Sequence, residues 1–183
     1  MKTRLPQNLF QIKYQLITCT IILALFSNNY YSQCTSCTST LSGASIMPYD
    51  KIVEAGEIFC INSGGDLNRG LHIKNGGTVC NNGTISADFI EIFEGATLIN
   101  NGTIDIENIM FRGGAFTNNG IMNAERIWME KGDFNNYKIG NIDVITIQIM
   151  DTGSYFNNEG IINCERTQSH SIDSNYSYNI YNS

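Results

Sequence analysis

Isoleucine alternates with polar residues in short bursts that recur down the chain. Ile104-Asp105-Ile106-Glu107 is the clearest burst. Side chains two apart share one face of an extended backbone, so this pattern predicts a half-buried strand. A second apolar burst follows closely each time, at Ile90-Glu91-Ile92, Ile109-Met110-Phe111, Ile127-Trp128-Met129 and residues 145–150. A turn carrying glycine comes next: Glu94-Gly95, Arg112-Gly113, Lys131-Gly132 and Asp151-Thr152-Gly153. A third short strand, such as Ala96-Thr97-Leu98-Ile99, leads into the following unit. Helical spacing is absent after residue 33, and the two prolines, Pro6 and Pro48, leave the strand ladders uninterrupted.

Asparagine pairs punctuate these units. Asn-Asn-Gly-Thr-Ile at residues 81–85 returns at 100–104, with looser copies at 118–122, 135–137 and 157–162. The first Asn of each pair stands at 81, 100, 118, 135 and 157, giving spacings of 19, 18, 17 and 22. Such a period is one coil of a stacked solenoid, each coil burying its apolar face against its neighbours. The expected fold is all-β: a parallel β-helix of five to six coils, about 18–19 residues per coil, stacked at roughly 4.8 Å. Stacked asparagines can donate and accept along the pile. The corner is also expected to use left-handed backbone at Asn and Gly.

The organisation follows from where the pattern starts and stops. Residues 1–33 read as a signal peptide: Lys2, Arg4 and Lys13 precede an eleven-residue apolar run at 16–26, too short to span a bilayer. Residues 34–51 are a Ser/Thr-rich linker or N-terminal cap, 52–166 the β-helix repeats, and 167–183 a polar tail or irregular C-terminal cap. An uncapped end would expose a sheet edge and invite end-to-end association.

Removing the leader leaves 8 basic against 17 acidic side chains, a formal charge of −9. That charge repels phosphates and anionic lipid, so nucleic acid is not an expected partner, nor is membrane insertion expected after signal removal. Five cysteines remain: Cys34, Cys37, Cys60, Cys80 and Cys164. Cys34-Thr-Ser-Cys37 has half-site spacing but no second pair, so a local disulfide or free thiols are expected. Cys60 and Cys80 lie about one coil apart, close enough to oxidise to each other or to pack as buried thiols. Cys164 occupies a core position.

Candidate chemistry is thin. Asp151-Thr152-Gly153 spells the aspartic-protease triplet but falls at a repeat corner. Asp88, Glu107, Glu125 and Glu165 should form an outward column, with a repulsion of roughly 0.9 kcal/mol per pair in water. Arg126 and Arg166 folding over the column would relieve this; calcium would need more converging oxygens than two neighbouring rungs supply. The basic Arg69, Lys74, Arg112, Lys131 and Lys138 are scattered, and His72 has no obvious partner. Phe116, Phe134, Tyr155 and Phe156 precede the Asn pairs and are expected to fill the core as a ladder. Thr78 with Thr97, and Thr84 with Thr103, make stacks of only two rungs.

The repeats at 81–85 and 100–104 resemble the haemagglutinin-type repeats of large bacterial exported adhesins, over roughly residues 73–166. The resemblance implies a right-handed parallel β-helix, surface exposure and adhesion. The expectation is therefore a secreted or cell-surface structural or adhesive module, non-catalytic, with an extracellular glycan or surface protein as partner. No catalytic, cofactor-binding or metal residues are nominated, and no cofactor. The alternative is a polysaccharide-acting β-helix enzyme, a lyase or hydrolase.

Overall fold

The computed structural model describes residues 36–43, 49–150 and 153–169. The leader, Cys34, Asp151, Thr152, His170 and the polar tail from 170 onward fall outside the described residues. Among the described residues the regular elements are thirteen strands and no helix. All pair in parallel and wind into a β-solenoid of about 6 turns with three faces.

The first face stacks β1 (Ser39–Leu41), β3 (Ile58–Ile61), β6 (Thr78–Asn81) and β8 (Thr97–Asn100). It continues through the last parts of β9 (Thr103–Asn118) and β10 (Ile121–Asn136) to β12 (Ser154–Asn158). The second face stacks β4 (Asp66–Leu67) on the first parts of β7 (Thr84–Phe93), β9, β10, β11 (Asn141–Ile149) and β13 (Ile161–Ser169). The third stacks β2 (Lys51–Val53) and β5 (Leu71–Ile73) on the later parts of β7, β9, β10, β11 and β13. β1 lies inside the stretch expected to be a linker or cap, and its register with β3 makes it the first rung instead. Strand structure also runs to Ser169, past the expected end of the repeats.

Alternation becomes columns once the coils stack. Leu67, Ile85, Ile104, Met122, Ile142 and Ile162 follow one another down the second face, all with 0% exposure. Leu71, Ile90, Ile109 and Ile127, also at 0%, and Ile147 at 2% do the same on the third. Each fully buried aliphatic side chain contributes about 1.5–3 kcal/mol of transfer free energy. The first face supplies aromatic filling. Phe134 and Phe156 stack at 4.5 Å with planes 7° apart, and Phe111 meets Phe116 and Phe134 edge-on at 6.0 and 5.7 Å. The inward aromatic ladder is thus Phe116, Phe134 and Phe156; Tyr155 points outward, 57% exposed. The threonine stacks, Thr78 on Thr97 and Thr84 on Thr103, are in register.

At the corner between the first and second faces runs the asparagine ladder. Asn81 Nδ2 donates to Asn100 Oδ1 at 2.8 Å, Asn100 to Asn118 at 2.7 Å, Asn118 to Asn136 at 2.8 Å and Asn136 to Asn158 at 2.7 Å. The last two rungs use the second Asn of their pairs. Asn136, not Asn135, aligns with Asn118, and Asn158, not Asn157, with Asn136. The true spacings are therefore 19, 18, 18 and 22.

The expected left-handed corner is absent: no described non-glycine residue has positive φ, and Gly83, Gly102 and Gly120 do not either. Asparagine holds the corner through its side chain, accepting the amide of the residue two ahead, as Asn81 Oδ1 does from Gly83 at 3.1 Å. The glycines serve close stacking. A Cβ on Gly102 would fall on the Gly83 carbonyl oxygen, and one on Gly120 on that of Gly102.

The cysteine expectations need correction. Cys37 bonds Cys60, with Cα atoms 5.7 Å apart. This excludes both the Cys34–Cys37 bridge and the Cys60–Cys80 bridge, although Cys60 and Cys80 do stack in register. Cys80 is itself disulfide-bonded. Cys60, Cys80 and Ile99 form a small cluster separate from the main core, so the two cysteines share an orientation. Cys164 is a free thiol packed partly against the core, and burial pushes its pKa up.

Candidate functional site

Residues left outward by the alternation fall into columns, as the core does. Asp88, Glu107, Glu125 and Glu165 are all exposed at the corner between the second and third faces. The flanking register puts Ile145 between Glu125 and Glu165, so the acidic column is interrupted where a fifth carboxylate would stand. Arg126 does not fold over it; Nη1 donates to Asn108 Oδ1 at 3.2 Å. One column inward, Asp105, Asn123, Asp143 and Asn163 alternate acid with amide. Asn163 Nδ2 donates to Asp143 Oδ1 at 2.6 Å, and Asn123 stands as a neutral group between the Asp105 and Asp143 carboxylates. This second column, with Glu125 and Glu165 of the first, lines a shallow groove of about 520 Å³. Among the described residues, no group of three or more His, Cys, Asp or Glu is placed to hold a metal ion.

The more organised chemistry lies on the third face of the early coils. His72 does have a partner. Register pairs it with Glu91 one coil on, and Nδ1 lies 2.7 Å from Glu91 Oε2. The other carboxylate oxygen, Oε1, meets Arg112 Nη2 at 3.3 Å. Phe89 sets its ring edge-on to His72 at 5.0 Å. Glu91 is thus held by a neighbour from the coil on either side of it, and His72 by the carboxylate and a ring.

At the end of the same strands, Phe93 sits between two cations. Lys74 Nζ is 4.1 Å from the ring centroid and Arg112 Cζ is 5.9 Å away. A groove of about 590 Å³ runs past them, bordered also by Glu54, Asn75 and Glu94. Chemically, an imidazole whose Nδ1 is engaged by a carboxylate keeps Nε2 for proton exchange. The flanking ammonium and guanidinium can meet an anionic group. Lys131 aligns with Arg112 at the next rung, so three of the basic residues that look scattered in sequence share one corner.

The signal for this cluster was the period itself. His72 and Glu91 are 19 residues apart, one coil, so a strand-surface pair in sequence becomes a contact in the stack. No known protein family, curated protein or solved structure matches the chain. The likeness to haemagglutinin-type repeats accordingly rests on the Asn-Gly corners and the period alone.

Proposed function

We propose that this chain is an exported, non-catalytic β-solenoid module that displays adhesive faces at a bacterial cell surface, with an extracellular glycan or surface protein as partner. The observation that carries this reading is the division of labour across the coil. Buried columns and an unbroken amide ladder make a stiff scaffold, while outward columns present ordered rows of carboxylate, amide and cationic groups. The Cys37–Cys60 bond suits an oxidising compartment. The test is to detect the chain on intact cells with an impermeant label, and to screen the purified protein on a glycan array. Absence from the surface, or turnover of a bound glycan, would overturn it.

The second reading, a polysaccharide-acting enzyme, draws support from one feature: the His72–Glu91–Arg112 contacts beside a groove. Its test is eliminase and hydrolase assay on an acidic-polysaccharide panel. Turnover that disappears in His72→Ala would establish the enzyme; no turnover on any substrate would remove it.

A further inference from the structure

We propose that the third-face groove at Lys74, Phe93 and Arg112 binds a uronate residue, that is, a carboxylate-bearing sugar within an acidic glycan. The inference deepens the adhesive reading and rests on it for the biological partner, but the groove's chemistry can be tested apart from it.

Three properties of the groove point to that ligand class. First, its cations have donors to spare. None of the ion pairs among the described residues involves Lys74, whose ammonium is held only against the Phe93 ring. Arg112 spends Nη2 on Glu91 and Nε on the Met110 sulfur at 3.1 Å, leaving the Nη1 hydrogens. Lys74 and Arg112 stand two coils apart, but both reach the Phe93 ring and border one groove, so both can serve a ligand carboxylate lying there. Second, Glu54, Glu94 and Asn75 border the same space. Acceptors of this kind disfavour a bare inorganic anion, but they bind hydroxyl groups, which a sugar acid brings alongside its carboxylate. Third, Ala55 and the part of Phe93 that the cations leave uncovered give the groove apolar surface for the carbon face of a sugar ring. A ligand matching all three carries a carboxylate, several hydroxyls and an apolar face.

Glu91 acts here as a positioning residue. It fixes Arg112 from the coil before, while His72 fixes Glu91 in turn. From Glu91 the outward column continues through Met110 to Trp128, the one tryptophan of the chain, which makes an intrinsic reporter two rungs from Glu91 and one from the coil of Arg112.

The experiment titrates the purified full chain with an oligogalacturonate, following Trp128 fluorescence and heat. The comparison ligands are the same oligomer with its carboxyls reduced to alcohols, inorganic phosphate and polyglutamate. We expect saturable binding of the uronate that weakens as salt rises, and none of the reduced oligomer. Lys74→Gln and Arg112→Gln should each weaken binding about tenfold or more, the loss of one charge-assisted bond. Arg166→Gln should leave it unchanged. Lys74 lies half-exposed at a corner, so its variant folds and decides the matter even if Arg112→Gln does not. Equal binding of the reduced oligomer, phosphate or polyglutamate, no uronate binding, or unaltered affinity in Lys74→Gln overturns the proposal. A chain that binds uronate yet is absent from the cell surface keeps the groove and loses the adhesive reading. A surface-exposed chain that ignores uronate does the reverse.

Discussion

Asn100 and Asn101 are adjacent in sequence, occupy the same corner of the same coil, and each stacks on asparagines above and below. Asn100 has 0% exposure and makes four bonds. Its Oδ1 accepts from Asn81 Nδ2 and the Gly102 amide, and its Nδ2 donates to Asn118 Oδ1 and the Ile121 carbonyl. Asn101 sits in an outer ladder of three, in which Asn119 donates to Asn101 at 3.0 Å and Asn101 to Asn82 at 3.1 Å. The inner ladder therefore donates toward the C-terminus and the outer toward the N-terminus. The inner direction is imposed by the backbone, because at Asn81, Asn100 and Asn118 the Oδ1 is claimed by an amide and the Nδ2 by a carbonyl. The outer ladder runs from exposed Asn82 through half-buried Asn101 to buried Asn119, and ends where Tyr137 replaces asparagine. Identical residues at identical spacing can thus hold the fold or merely decorate it; what separates them is whether water can substitute for the lost partner.

The hardest test of that distinction is Asn100→Asp. A carboxylate there would bring acceptors against the Asn118 oxygen and the Ile121 carbonyl in a site without solvent. We expect a loss above about 4 kcal/mol, or no folded protein at neutral pH. Asn100→Ala takes one partner from each of two donors and two acceptors in a dry site and should cost about 3 kcal/mol. Urea unfolding midpoints measure both. A loss under about 1 kcal/mol for the alanine variant would mean that the ladder follows the fold without stabilising it.

The second test compares a covalent clamp with the amide pile. Cys37→Ser opens a link spanning 23 residues over the first rungs. The chain-entropy argument puts its cost at about 3 kcal/mol. Because the link lies at one end, the loss should appear as early protection changes at β1 and β3 in hydrogen exchange, with β9 and β10 unaffected. Uniform loss would show that the coils unfold as one unit.

Asn101→Ala is the counterpart of Asn100→Ala and should cost below about 1 kcal/mol, since water reaches the half-buried Asn101 amide and can replace its partner. If the two variants proved equal, burial would not be the distinguishing variable.

Much of this architecture was legible because a solenoid converts period into contact. Ile104 and Ile106 announced a buried strand, and the threonine and phenylalanine stacks followed from spacing. What misled was reading the repeat by motif when the stack is set by register. Tyr137 follows Asn135-Asn136 and Glu159 follows Asn157-Asn158, where glycine follows the first three pairs, so motif alignment takes the first residue of these two pairs although the second fills the ladder. The left-handed corner was inferred from residue preference, but a side-chain bond to the amide two ahead meets the same need without positive φ. The Cys37–Cys60 link crosses from a stretch with no apolar alternation, where no pattern could place it. His72 looked unpartnered because its partner stands a full coil away.

The last prediction separates the ladder from the ionisable contacts by pH. The amides carry no titrating proton, so the cost of Asn100→Ala should be the same from neutral pH down into the carboxylate range. Glu57 at the early coils behaves otherwise. Burial pushes its pKa up, but the Lys51 ammonium at 2.7 Å, the Ser39 hydroxyl at 2.6 Å and the Glu54 amide at 3.2 Å outweigh it. Its carboxyl is held below the ordinary value of 4.5. A lowered carboxylate pKa means that the unfolded chain takes up the proton first. The stabilisation is then fully present above that ordinary value and is lost as pH falls through the folded one. Wild type should exceed Glu57→Gln by a constant margin at neutral and mildly acidic pH, and the two should converge below the ordinary carboxylate range. Thermal midpoints at a series of pH values measure this, and a margin that widened on acidification would show that Lys51 and Ser39 do not hold the carboxylate form.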